Sequence, residues 1–223
     1  MSPAIHVAAV RHGQVQEGPG RRSVVWLAGC SIRCAGCINP HLFEREAFPA
    51  RRVEEVLAEI FAGREQGDSG VSVVGGEPFD QPEALAALAI GIHSGWPALP
   101  GIPRLILYTG YTWEDLAARP EAAVAAALGA ADVLVDGPFV RGQAHPDLGY
   151  RGSVNQRVID LAATRAAGRL VLISRWDIPH IEVFDDGRVA MTPSLARVVM
   201  PRLGGERVPG RQCGQDCIRE ENI

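Results

Sequence analysis

Five short runs rich in valine, isoleucine and leucine recur along the chain and leave few folds open. They span residues 23–28, 71–74, 105–108, 133–135 and 170–173, and most end in glycine or a polar residue. Fully apolar strands of this length are buried on both faces, as in parallel sheets. Helical patterns lie between them. Over 53–62, Val53, Val56, Leu57, Ile60 and Phe61 fall on one face. Pro82 opens a second helix over 83–92, at the position where proline is tolerated best. A third helical region covers 113–118 and 121–128, interrupted at Pro120, and a fourth is expected over 158–167. About five such β/α units are too few for a complete eight-fold barrel of roughly 250 residues. They suit an open doubly wound sheet or a partial barrel, and in both the loops after the strands carry the site.

The remainder of the chain reads differently. Residues 181–191 form a hairpin pattern with Asp186-Gly187 as its turn. From Arg202 to Ile223 the sequence is polar, rich in glycine and without periodicity, so it reads as a tail or an ordered cap.

Charge excludes some functions. The net charge is −4 and the pI about 5.9, which offers no basic face for nucleic acid. All 22 basic residues are arginine, so Schiff-base chemistry on lysine is excluded. The first residues lack the charged and apolar regions of a signal peptide, and no apolar run approaches the ~20 residues of a membrane span. The expected compartment is the cytoplasm, with no membrane partner. Clustered cysteines there read as metal ligands or redox groups rather than disulfides.

Five cysteines form two groups, Cys30/Cys34/Cys37 and Cys213/Cys217. The first group follows the first strand directly with the spacing C-x3-C-x2-C. Thiolates are the soft ligands preferred by zinc and by iron–sulfur clusters. A closed zinc site needs a fourth ligand, and the nearest histidine is His41. A cubane held by three cysteines keeps one iron open to an outside ligand. Zinc on three cysteines plus His41, and unrelated reduced thiols, are the competing readings. Cys213 and Cys217 are open to reading as a redox pair, as ligands of another metal, or as ordinary thiols.

The run Gly29-Cys30-Ser31-Ile32-Arg33-Cys34-Ala35-Gly36-Cys37-Ile38-Asn39-Pro40 resembles the signature of the radical S-adenosylmethionine superfamily. In particular it resembles the activating proteins of anaerobic ribonucleotide reductase. Gly75-Gly76-Glu77 closes the second strand and resembles the family's GGE segment. Taken alone it is a simple strand-to-helix turn; the resemblance implies that Gly75, Gly76 and Glu77 bind the amino group of S-adenosylmethionine. Thr109 and Gly110 end the third strand where a loop would meet the cofactor. Asp136, in Asp136-Gly137-Pro138-Phe139, reads either as a turn former or as an acceptor for the ribose or methionine moiety. Arg151-Gly152-Ser153-Val154-Asn155-Gln156-Arg157 resembles the RGSxNQR segment of the same subgroup. As bare sequence it is a loop in which Ser153 or Asn155 caps the helix expected at Val158. With Asn39, these residues complete the expected cofactor site: Asn39, Gly75, Gly76, Glu77, Thr109, Asp136, Ser153 and Asn155.

The resemblance spans 25–161 and implies a 4Fe–4S cluster on Cys30, Cys34 and Cys37. It further implies reductive cleavage of S-adenosylmethionine to a 5′-deoxyadenosyl radical, with an electron from a donor such as flavodoxin or ferredoxin. The radical would take hydrogen from a glycine of a glycyl radical enzyme; a peptide or small metabolite is the alternative target. A non-catalytic zinc or iron–sulfur module is the reading from a different class. The expected architecture is α/β, a partial (β/α)6 barrel of TIM-like type over 1–178, followed by a hairpin and tail over 179–223.

Overall fold

The computed structural model describes residues 3–145, 148–173, 180–183, 189–192 and 198–199. Two compact units divide the chain, Met1–Pro179 and His180–Ile223.

The first unit is built on a seven-stranded mixed sheet. Strand β1 (Ala4–Gln14) runs antiparallel to β2 (Arg22–Leu27), and β3 (Ala50–Arg52) pairs with the outer side of β1. In the early part of β1, buried Ile5 and Val7 alternate with more open His6 and Ala8, the period-2 pattern of a strand with one packed face. Helix α1 (Val53–Glu65) follows, then β4 (Gly70–Gly75), α2 (Pro82–Gly95), β5 (Leu105–Tyr108), α3 (Trp113–Ala117), α4 (Ala122–Ala130) and β6 (Val133–Asp136). Strands β2, β4, β5 and β6 are mutually parallel, in the order β2-β4-β5-β6. Pro82 sits in the first turn of α2, and a Thr112/Asp115 capping box starts α3.

Alternation along the strands sends side chains to two separate cores. Leu105, Leu107 and Leu134 join the large cluster to which all the helices of the unit contribute. Ile106, Val133, Val135 and Val158 form a smaller cluster, with Tyr108 and Ile173 packed against it. No helix residue enters that second cluster among the described residues. The helices therefore cover one face of the sheet, unlike a doubly wound sheet with helices on both.

Two expectations fail at the end of this unit. The region expected as helix over 158–167 begins with a strand, β7 (Arg157–Asp160), antiparallel to β6. Val158 and Ile159 are β-branched and point to opposite cores, which favours a strand over a helical turn. Asp160 accepts from the Ala163 backbone N–H at 2.8 Å, so helix α5 (Leu161–Ala167) starts only there. Ser153 and Asn155 are therefore not its caps. The run 170–173 is not a parallel strand: it meets β7 through a single antiparallel bridge, Ile159 to Leu172, and Leu172 is exposed. Four parallel strands are present among the described residues, not the six of a (β/α)6 arrangement.

The second unit contains β8 (His180–Val183), β9 (Val189–Thr192) and β10 (Val198–Val199) in an antiparallel sheet of order β10-β9-β8. The pairing of Ile181 with Met191 is that of the expected hairpin. Its expected turn at Asp186-Gly187, and the tail with Cys213 and Cys217, lie outside the described residues.

Candidate metal and cofactor centre

The loop after β2 is shaped by backbone bonds before any side chain contributes. The Gly29 and Cys30 N–H groups donate to the Leu42 and Phe43 carbonyls at 2.8 and 3.1 Å, and the Cys37 N–H closes a turn onto the Cys34 carbonyl at 3.1 Å. Cys30, Cys34 and Cys37 emerge as free thiols, each half-buried. All three line one cavity of about 440 Å³ at the carboxyl ends of the parallel strands. Such strand ends are where open α/β sheets hold their ligands.

The two glycines of Gly75-Gly76-Glu77 join this loop to the next strand. Gly75 has φ +114°, and a Cβ there would overlap the Leu27 backbone. A Cβ on Gly76 would overlap the Gly29 carbonyl. The Gly76 and Glu77 N–H groups donate to the Leu27 and Gly29 carbonyls at 2.7 and 2.8 Å. The glycines thus let the end of β4 lie directly on the root of the cysteine loop.

Glu77 is only 1% exposed and forms the hub of the site. Its Oε1 accepts from the Phe79 N–H at 2.9 Å and from the Thr109 hydroxyl at 2.9 Å. Its Oε2 accepts from the Gly110 N–H at 2.8 Å. Burial pushes its carboxyl up to about 7, against these three donors, which pull it down. Thr109 and Gly110 therefore meet Glu77 first, and through it bind the end of β5 to the end of β4.

Of the expected site residues, Cys30, Cys34, Cys37, Asn39, Gly75, Gly76, Glu77 and Thr109 are brought together on the cavity wall. Asp136, Ser153 and Asn155 are not in that wall. Asp136 is fully buried; both its oxygens accept from the Arg157 guanidinium, and Oδ2 also takes the Trp113 N–H at 2.7 Å. Arg157 continues to Glu114 at 2.6 and 3.0 Å, and this pairing draws the Glu114 carboxyl down to about 2. Ser153 Oγ accepts from the Val140 N–H at 3.1 Å, and the Asn155 amide donates to the Pro138 carbonyl at 2.7 Å. Gln156 links the Gly152 N–H to the Gly137 carbonyl, at 2.8 and 2.9 Å. The polar side chains of this segment lock the 136–140 turn against β7, and the segment reaches the cavity through Gly152 and Gln156.

Sequence reading missed Asp80. Its carboxylate accepts from the Ser31 N–H at 2.6 Å, the Ser31 hydroxyl at 2.9 Å and the Tyr111 hydroxyl at 3.1 Å, and Arg45 donates to its carbonyl at 2.9 Å. This brace steadies the cysteine loop between Cys30 and Cys34. The Ser31 partner lies 49 residues away, so no local spacing announces it. His93 has a packing role: its Nδ1 lies 2.9 Å from the Ala130 carbonyl, tying α2 to α4.

The donor set fits an iron–sulfur cluster. Three soft thiols stand on one cavity wall with the Glu77 carboxylate, and among the described residues no three Cys, His, Asp or Glu side chains converge on a single ion. A cubane offers a separate iron to each thiolate, so its ligands do not converge on one atom. Residues 16–159 match the family described as "4Fe-4S single cluster domain". The anaerobic ribonucleoside-triphosphate reductase-activating protein of Vibrio cholerae is 32% identical over 145 residues, covering 64% of this chain and 89% of the relative. The pyruvate formate-lyase-activating enzyme of Listeria monocytogenes is 34% identical over 86 residues, 35% of each chain. Among solved structures, QueE from Escherichia coli has a TM-score of 0.39 at 20% identity, covering 49% of this chain and 53% of that one. The chain belongs to the 4Fe–4S single cluster domain family and, with it, to the radical S-adenosylmethionine activating enzymes.

Proposed function

We propose that this chain activates a glycyl radical enzyme of the anaerobic ribonucleotide reductase type. The observation that carries the reading is the meeting of three free thiols with Gly75, Gly76 and Glu77 on one strand-end cavity. Cys30, Cys34 and Cys37 would hold three irons of the cluster, and the cavity beside them would take S-adenosylmethionine. With both bound, the group held by Cys30, Cys34 and Cys37 would supply one-electron chemistry at the cofactor's sulfonium, ending in hydrogen abstraction from a glycine of the partner. A primary alkyl radical attacks nearly any C–H bond, so the chain's own task is to position that target and exclude water.

Each residue group has a part in that task. Asp80 with Ser31 and Tyr111 fixes the cysteine loop. Glu77 presents a buried acceptor for the cofactor's ammonium, set by Thr109 and Gly110. Asn39 belongs to the cofactor wall, whereas Asp136, Ser153 and Asn155 act on the cofactor only by holding the 136–140 turn. Sheet and helices together are read as a partial barrel with its helices outside. The electron donor is a small one-electron carrier such as flavodoxin or ferredoxin, and the setting is the cytoplasm. The His180–Ile223 unit is read as a separate extension.

The test is anaerobic. Reconstituted, reduced protein is given S-adenosylmethionine, alone and then with an anaerobic ribonucleotide reductase. Release of 5′-deoxyadenosine, with a glycyl doublet on the reductase by EPR, is the expected result. Turnover of a free peptide or metabolite with no protein radical would replace this reading.

A further inference from the structure

We propose that Ile38, Val140 and Val154 form an apolar rim that seats the partner's glycine-bearing segment, and that apolar side chains flank that glycine. The inference rests on the functional reading above, in which the target is a glycine of another protein. Ile38 is 85% exposed, Val154 58% and Val140 37%. Ile38 lines the thiol cavity, Val140 follows the lining residue Phe139, and Val154 stands between the lining residues Gly152 and Gln156. The three segments also touch one another. The Val140 N–H donates to Ser153 Oγ at 3.1 Å, and the Val154 N–H donates to the Gln143 carbonyl at 2.9 Å. The Arg141 side chain lies over Gly36, two residues before Ile38. The other exposed large apolar side chains among the described residues, Ile90, Leu99 and Leu172, do not line this cavity.

The 151–157 segment reverses the usual order of burial. Ser153 is fully buried and Val154 mostly exposed, although serine is ordinarily the residue left in water. Hydrogen bonds cause the reversal: Ser153 Oγ holds the Val140 N–H, and the Gln156 side-chain carbonyl takes the Gly152 and Ser153 N–H groups at 2.8 and 3.1 Å. Val154 is therefore held outward by a braced turn. Apolar side chains gathered on one exposed patch mark a surface for a partner.

The position of the rim says what covers it. Val140 and Val154 do not line the cavity, so a small molecule bound inside leaves both uncovered. A folded protein cannot enter a cavity of about 440 Å³ whole; only a segment of its backbone can reach in. Glycine has no side chain by which to be gripped, so its neighbours in the partner must supply the hold. Apolar neighbours fit an apolar rim, and closing that contact keeps water from the mouth while a reactive radical is present.

The test compares Val154→Asp with Val154→Leu in the reconstituted full chain. Dithionite is the reductant, so that no donor protein takes part. Both variants should hold the wild-type amount of iron and release 5′-deoxyadenosine from S-adenosylmethionine alone at the wild-type rate. The concentration of anaerobic ribonucleotide reductase giving half-maximal glycyl radical by EPR should rise roughly tenfold or more in Val154→Asp and stay near the wild-type value in Val154→Leu. Val140→Asp, on the neighbouring segment, should raise it as well. An unchanged half-maximal concentration in both aspartate variants, with the wild type activating normally, would overturn the proposal. So would a thermal midpoint several degrees lower in Val154→Asp, which would assign the valine to packing within this chain. A wild-type dimer that Val154→Asp splits into monomers would give the rim to a second copy, and an effect seen only when flavodoxin replaces dithionite would give it to the electron donor; either result overturns the proposal. A wild type that releases 5′-deoxyadenosine but raises no glycyl radical on the reductase would overturn the functional reading, and this inference with it.

Discussion

Glu77 shows how one buried carboxyl can tie the ends of two strands together. Folding raises it from 4.5 to about 7, so between those values the folded chain binds a proton that the unfolded chain has lost. The sign follows: its penalty is absent below about 4.5 and grows as pH rises toward 7, reaching on the order of 3 kcal/mol. The cluster-free wild type should therefore lose stability relative to Glu77→Gln between pH 4.5 and 7, as read from denaturant midpoints. Parallel pH profiles would remove Glu77 as the titrating group. At the same scale, Cys30→Ala, Cys34→Ala or Cys37→Ala should abolish bound iron and sulfide and the brown colour of the reconstituted protein. A variant that retains a full cluster would withdraw that cysteine as a ligand. Asp80 stands beside these as the residue whose importance only contacts reveal.

Among the elements, the β6–β7 region departs furthest from what the pattern promised. The apolar spacing of Val158 and Ile159 fits a helical period as well as a strand, an ambiguity common to short apolar runs. Pairing with β6 across four registered residues settles it as a strand. The same pairing brings Arg157 opposite Asp136. That ion pair is mostly buried on the Asp136 side and only part-exposed on the Arg157 side. Arg157→Ala leaves a buried carboxylate without its cation, so unfolding free energy should fall by about 3 kcal/mol in chemical denaturation. Little change would mean that water or another donor reaches Asp136. The helices were more legible: the apolar face of 53–62 and Pro82 at the head of α2 both appear where the sequence put them. Strand β1 was not read at all, because its run 4–14 mixes alanine, histidine and arginine with few large apolar residues.

At the scale of the whole molecule, the chain divides into two compact units, and the family match lies within the first. The family match ends at residue 159. Replacing Cys213 and Cys217 together with serine should leave about four iron atoms per chain after reconstitution, since three loop cysteines suffice for a cubane with one open iron. Loss of iron in that variant would bring the tail into the metal centre. No helix among the described residues is long and apolar enough to cross a membrane.

The sequence alone determined the candidate metal-binding loop and four of the five core strands, the run 170–173 being the exception. Both are local facts: thiol spacing within eight residues, and apolar runs whose length and flanks need no distant partner. The same locality made the Gly75-Gly76-Glu77 turn visible. Only the tertiary structure decided what the polar residues do. Asp136 and Asn155 read as cofactor contacts in the sequence; in the fold Asp136 pairs with Arg157, and the Asn155 amide donates to the Pro138 carbonyl. Asp80 read as nothing until Ser31 and Tyr111 closed on it. A hydrogen bond is short and directional, so its partner is fixed by packing between elements far apart in sequence, whereas ligand chemistry and strand burial are properties a residue carries with its neighbours.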